Sequence, residues 1–215
     1  MTEIEVQKAP AYFTLKRFLD VIISGLLLIV LSPFLLLICL LLYFDDGLPI
    51  LFQQVRVGRY GQTFTIYKFR TMPAKRTDEV SKQRLNRGEW LNGVPNDFVF
   101  KSCHPTGLSY LGKLLRKYSL DELPQLVNVI NGNMSLIGPR PEVPDIARYY
   151  NQKQLERLLV KPGMTGYAQV NGRSHLNHGQ KIEYDRYYVE HCCFRMDVQI
   201  IASTVLKVLR ADDNY

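Results

Sequence analysis

The sequence predicts an α+β chain in two parts: an apolar, membrane-inserted helical segment near the N-terminus, and a compact, mainly helical domain with a small β-hairpin. Three observations lead there. No residue from Val21 to Phe44 is charged, a run of 24, where about 20 apolar residues suffice to cross a bilayer. Residues 50–57 and 62–72 are β-like and flank the turn sequence Gly58-Arg59-Tyr60-Gly61, as in a hairpin. Beyond residue 107, short segments of helical pattern alternate with Gly- and Pro-containing breaks. A length of 215 residues allows one domain with a real core plus a short appendage. The expected boundaries are a tail over 1–15, a membrane segment over 16–45 and a domain over 46–215.

The apolar run is too long for a signal peptide, and no small-residue cleavage site follows it. Ser32-Pro33 sits near its middle. Proline lacks a backbone donor and clashes with the preceding turn, so a kink or break is expected there. The Ser32 hydroxyl is suited to take up a carbonyl that Pro33 frees. Basic residues flank both ends: Lys8, Lys16 and Arg17 before, then Arg56, Arg59, Lys68 and Arg70 after. Such residues favour the cytosolic side. On the residues alone, a kinked single span and a helix–break–helix that leaves by the leaflet it entered are both open.

After the hairpin, residues 73–105 are polar and irregular, with Lys75, Arg76, Lys82, Arg84 and Arg87, and read as a mobile loop or lid. Residues 107–117 suit a short helix. Ser119 and Glu122 have the spacing of a capping box. Pro124 fits a first helical turn, and that helix should stop near Asn131-Gly132. Helical patterns follow at about 142–160 and 179–191, separated by Pro162-Gly163-Met164-Thr165-Gly166. In 194–210, Val198, Ile201, Val205 and Leu209 share a face. Core packing is the commoner fate of such a stripe, and a membrane interface is the other.

Lys and Arg number 27 against 20 Asp and Glu, a net charge of +7, with a pI of about 9.2. The excess favours an anionic partner. No nucleic-acid motif is recognisable, and the long apolar run makes phosphate and membrane the better combination. The four cysteines, Cys39, Cys103, Cys192 and Cys193, show no CxxC spacing, so no disulfide framework is signalled. His175, His178 and His191 beside Cys192-Cys193 match no standard zinc spacing.

The chemistry points to Asp121-Glu122. In a first helical turn, unpaired N–H groups and the helix dipole keep a carboxylate ionised and attract phosphate. An ionised carboxylate there can attack phosphorus or hold Mg²⁺ shared with substrate phosphates, with Glu122 orienting the nucleophile or ligating the metal. Acidic residues in a first turn are also common as plain caps, so the surroundings matter. Arg116 lies five residues before Asp121. Arg140 is held between Pro139 and Pro141, and Lys68 and Arg70 close the hairpin. Arginine suits bidentate phosphate recognition.

These residues lie in motifs that closely resemble the bacterial sugar transferase family, the small monotopic phosphoglycosyl transferases. The matching pieces run from Lys16-Arg17-Phe18-Leu19-Asp20 through Ser32-Pro33, Gln54-Val55-Arg56-Val57-Gly58 and Lys68-Phe69-Arg70-Thr71-Met72. They continue with Leu115-Arg116, Ser119-Leu120-Asp121-Glu122-Leu123-Pro124-Gln125, Asn133-Met134-Ser135 and Gly138-Pro139-Arg140-Pro141. Pro162-Gly163-Met164-Thr165-Gly166 and Gln169-Val170-Asn171-Gly172-Arg173 complete the set. The resemblance covers residues from about 16 to 210.

It implies transfer of a sugar phosphate from a UDP-sugar to undecaprenyl phosphate with release of UMP. Mg²⁺ assists, and a covalent phosphosugar–enzyme intermediate forms. Asp121 is then the nucleophile, Glu122 its partner and Arg116 a phosphate contact. Ser32-Pro33 becomes the bend of a re-entrant helix, with amphipathic interfacial helices and a monotopic catalytic domain on the cytosolic face of the bacterial inner membrane. Such a step opens assembly of capsule, O-antigen, exopolysaccharide or glycoprotein glycans. Downstream glycosyltransferases are expected partners, and the basic surface and membrane face would support a homodimer. The chain reads as the family's minimal catalytic unit, without an N-terminal multi-helix extension. It departs from many relatives at Ser102-Cys103-His104-Pro105-Thr106-Gly107, where they carry an acidic residue and an arginine. A catalytically inactive polyprenyl-phosphate-binding or scaffold protein on the same fold is the alternative.

Overall fold

A computed structural model describes residues 10–72, 90, 92–99, 108–172 and 175–210. Expectations for the first nine residues, for the basic residues and Cys103 of the 73–105 stretch, and for Arg173 lie outside the described residues.

The apolar run lies within one 37-residue helix, α1 (Pro10–Asp46), with Pro33 inside it. The helix runs through Pro33 without interruption and starts before residue 16, ahead of the expected boundary. The reason is local. Pro33 has no N–H to give Ile29 O, and Ser32 Oγ donates to that same carbonyl at 2.7 Å. Both ends of α1 rest on the domain. Near its start, Lys16 pairs with Asp197 at 2.8 Å, and Asp20 Oδ1 accepts from Leu136 N at 3.1 Å. Near its end, Ile38 and Leu42 pack with Phe69 and Leu115. Between them, Ile29 and Val30 are 73% and 72% exposed.

The hairpin forms as expected, with trimmed ends. β1 (Leu51–Val57) and β2 (Thr63–Phe69) pair antiparallel from Leu51↔Phe69 to Val57↔Thr63. The connection needs two left-handed residues, Tyr60 and Gly61, with φ of 55° and 79°. Helix α2 (Tyr110–Lys117) starts at Ser109, whose Oγ accepts from Gly112 N at 3.0 Å. A 3₁₀ turn (Leu120–Glu122) and α3 (Gln125–Ile130) follow. Ser119 is left-handed and makes no side-chain cap, so the capping box is corrected to a reversal of the chain. The expected stop at Asn131-Gly132 holds, with Gly132 at φ 85°.

Two strands were not legible in the sequence. β3 (Ser135–Ile137) pairs in parallel with β4 (Gly163–Thr165). The pairing brings backbones into contact: a Cβ on Gly163 would lie 2.1 Å from Gly138 N, and one on Gly166 2.1 Å from Gly138 O. The loop carrying Arg140 thus leaves β3 from a fixed point.

The helix expected over 142–160 is broken into α4 (Pro144–Ala147), α5 (Gln152–Leu155) and a 3₁₀ turn (Glu156–Leu159). Asn151 restarts it with a capping box to Gln154. The short α6 (Tyr167–Asn171) precedes α7 (His178–His191) and α8 (Phe194–Arg210), whose extents match expectation. In α8 the buried face is not the expected stripe. Met196 and Ile200 pack with Ile137 and Tyr188, whereas Val198, Ile201, Val205 and Leu209 are all exposed. Part of the stretch read as mobile is anchored: Trp90 and Val94 are buried against Ile146, Tyr150 and Ile182. Gln154 bonds both Val94 N and Val94 O, at 3.0 and 2.7 Å.

Gly163→Ala should cost about 1–3 kcal/mol or more through overpacking, since backbone rather than a flexible side chain blocks the Cβ. Thermal melting of the purified variant against Gly25→Ala, which has open space around it, checks this.

Candidate active site

The acidic pair sits in the 3₁₀ turn between α2 and α3. Two other elements converge on Glu122. Lys68 Nζ from β2 donates to Glu122 Oε1 at 2.6 Å. Arg140, from the loop after β3, donates through Nη2 to Oε1 at 2.8 Å and through Nη1 to Oε2 at 3.5 Å. Burial alone would raise the Glu122 pKa, but the charges and hydrogen bonds of Arg140 and Lys68 outweigh it and hold the carboxyl well below its usual range. Burial pulls Lys68 down, partly offset by Glu122, while Glu122 raises Arg140.

Asp121 is treated differently. It is partly buried and makes no hydrogen bond or ion pair among the described residues. Burial first, then Glu122, pushes it up to about 6, against the pull of Lys68, Arg116 and Arg140. At neutral pH it is ionised, unengaged and surrounded by cations that can receive phosphate. Arg116, in the last turn of α2, is aimed by Thr71 Oγ1, which accepts from its Nε at 2.8 Å. Side-chain cations rather than a helix dipole set this field, because α3 has only six residues and begins after Pro124. The first-turn placement is corrected accordingly.

Lys68, Arg116, Asp121, Glu122 and Arg140 are thus brought together, and Arg70 is not. It is 6% exposed, and its Nη2 donates to Asp46 O and Gly47 O at 2.7 and 2.9 Å. It closes the C-terminal end of α1, so its assignment as a phosphate contact is corrected. Sequence reasoning missed the layer behind Arg140. Buried Arg157 donates to Arg140 O at 2.8 Å and Tyr150 OH at 2.6 Å, and pairs with Asp185 at 2.7 Å and Glu142 at 3.4 Å. Arg56 Nη1 donates to Pro141 O at 3.3 Å. The available signal was Glu142, which directly follows the Gly138–Pro141 motif.

The described residues contain no group of three or more His, Cys, Asp and Glu side chains placed to hold a metal. Mg²⁺ needs only one or two carboxylates when substrate phosphates complete its shell. Asp121 fits that role. Glu122 would have to share oxygens already accepting from Lys68 and Arg140.

The chain matches the bacterial sugar transferase family model over residues 11–211. It is 42% identical over 195 residues to an uncharacterized sugar transferase, EpsL, of Bacillus subtilis, covering 91% of this chain and 87% of the relative. It is 38% identical over 206 residues to the undecaprenyl-phosphate galactose phosphotransferase of Salmonella typhimurium, covering 94% of this chain and 42% of the relative. It is 36% identical over 200 residues to the UDP-glucose:undecaprenyl-phosphate glucose-1-phosphate transferase of Klebsiella pneumoniae, covering 89% and 39%. The chain therefore spans about two-fifths of the latter two relatives.

Asp121 stays protonated to higher pH in the folded chain than in the unfolded one, so its contribution is most favourable below about 4 and is lost as pH rises through about 6. Asp121→Asn should therefore melt above wild type at pH 8, and the gap should close towards pH 4. Melting curves across that range check the sign.

Proposed function

The chain belongs to the bacterial sugar transferase family and is an enzyme of the phosphotransferase kind, and on that premise we propose that it moves a sugar 1-phosphate from a UDP-sugar to undecaprenyl phosphate. The observation that carries this reading is the split within the acidic pair. Glu122 is locked to Lys68 and Arg140, while Asp121 is unpaired among the described residues and ionisable near neutral pH among the same cations.

An Asp121 oxygen attacks the phosphorus that bears the sugar. The bond from that phosphorus to the bridging oxygen breaks, and UMP leaves with that oxygen and the electron pair. The product of this half-reaction is an aspartyl phosphosugar. An oxygen of undecaprenyl phosphate then attacks the same phosphorus, and the bond to Asp121 breaks. This regenerates the carboxylate and yields the diphosphate-linked lipid sugar. Arg116 and Arg140 face the charge on the transferring phosphoryl group. Glu122 keeps Lys68 and Arg140 in place and limits how strongly they neutralise Asp121. Mg²⁺, held by Asp121 and substrate phosphates, would supply further charge neutralisation.

The acceptor cannot leave the membrane and the nucleotide cannot enter it, so the site belongs at headgroup depth. The α1 helix is long and apolar enough to cross a membrane. Contacts from both its ends to one domain support a re-entrant course, because a domain touching both flanks places them on one side. The exposed stripe of α8 supports contact with the same interface. The basic flanks favour the cytosolic face of the inner membrane.

Three outcomes are expected. Asp121→Asn should lose UMP release by at least about 10³-fold, and normal turnover would remove the nucleophile assignment. For wild type, kcat/KM for UMP release should fall about tenfold per pH unit below about 6, as Asp121 takes up its proton. Cysteines placed at Thr2 and Tyr215 should resist impermeant labelling from outside intact cells. No UMP release from any of a panel of UDP-sugars, with lipid and Mg²⁺ present, would instead favour the inactive polyprenyl-phosphate-binding alternative.

A further inference from the structure

A second concentration of positive charge lies away from the acidic pair. A cavity of ≈ 340 Å³ beside the first turns of α1 is lined by Phe13, Arg17, Asp20, Arg59, Val160 and Lys161, among others. Arg17 caps α3, donating to Val129 O and, at 2.7 Å, to Ile130 O. Arg59 donates to Leu159 O at 3.0 Å and Tyr60 OH at 2.7 Å. Lys161 Nζ has neither a hydrogen bond nor an ion pair among the described residues. A Cβ on Gly132 would lie 3.3 Å from Arg17 Nη2 and 3.6 Å from Lys161 Nζ, so the two cations flank one point. Burial first, then the charges of Arg17 and Arg59, lowers the Lys161 pKa, against the single pull of Asp20. The Asp20 Oδ1 already accepts from Leu136 N. Four cations line the cavity; Lys16 is paired with Asp197, and the other three face one partly committed carboxylate. The missing charge is an anion.

The place of the cavity narrows the anion. Its wall is the part of α1 just before the uncharged run that begins at Val21. On the membrane reading above, on which this inference rests, that is headgroup depth. Arg17 holds the last carbonyls of α3, and Asp121 precedes the first residue of that helix. A phosphate here is therefore separated from the nucleophile by the length of α3, about 9 Å, and its turn. We propose that the cavity is a second, non-catalytic site for the phosphate headgroup of a bilayer glycerophospholipid, with Lys161 as the principal contact.

The test is native mass spectrometry of the full chain with phosphatidylglycerol, inorganic phosphate or undecaprenyl phosphate as competing probes. Lys161→Gln should weaken phosphatidylglycerol binding roughly tenfold, and Lys161→Arg should restore it. Lys153→Gln, the same charge change on exposed α5, should leave it unchanged. Equal losses in Lys161→Gln and Lys153→Gln would overturn the site. Inorganic phosphate competing as well as the lipid would make it a site for soluble anions, and preferential displacement by undecaprenyl phosphate would make it the acceptor's own; either overturns the assignment. Lys161→Gln should also raise the melting temperature, since it relieves repulsion and breaks no bond, and a drop would mean that Lys161 serves the fold instead. Co-flotation with phosphatidylcholine vesicles and UMP release by wild type report on anchoring and chemistry separately.

Discussion

Glu122 is the side chain on which the arrangement depends. Strand β2, the 3₁₀ turn and the loop after β3 meet at its carboxylate through Lys68 and Arg140. Removing one partner of a partly buried charge cluster leaves the others uncompensated, at a cost of about 3–5 kcal/mol for fully buried cases. Here the remaining partners would be two cations facing each other. The same contact governs the neighbour. Adjacent carboxylates compete for one set of positive charges, and Glu122 wins it by direct hydrogen bonds. Asp121 keeps only the longer-range part of that attraction, so the two pKa values move apart. On the proposed chemistry, the nucleophile owes its freedom to an ion pair that it does not join.

The layer behind this contact is backbone. Gly138, Gly163 and Gly166 close on one another where β3 passes β4, and Arg157 grips the carbonyl of Arg140 from below. The backbone that carries Arg140 is therefore fixed at both its chain entry and its own peptide, rather than by the flanking prolines alone. Such support keeps Arg140, the proposed phosphate contact, in position without substrate present.

What was legible in the sequence was what is local. The hairpin shows in its alternation and turn residues, the stop of α3 in Gly132, and the fate of Ser32 in the one carbonyl Pro33 leaves bare. What failed was settled by distant partners. Strands of three residues such as β3 and β4 carry no periodicity and exist only as a pair. Ser119 has the right spacing for a cap, yet it is left-handed and turns the chain between α2 and the 3₁₀ turn instead. Arg70 and Lys68 look equivalent in sequence, but one meets the end of α1 and the other meets Glu122. The stripe on α8 has the expected spacing, and the core takes the neighbouring face instead.

Arg70 and Lys68 together also act as a ruler. One marks where α1 ends, and the other marks the acidic pair. They are two residues apart on β2 and the residue that follows it, a span of about 7 Å. On the membrane reading, the height of the chemistry above the hydrocarbon is a length of extended chain. It can change only in whole residues, and a single inserted residue would turn Lys68 away from Glu122. On the same reading, a proposed acceptor lipid has to come to a fixed height, because the chain offers no graded way to meet it.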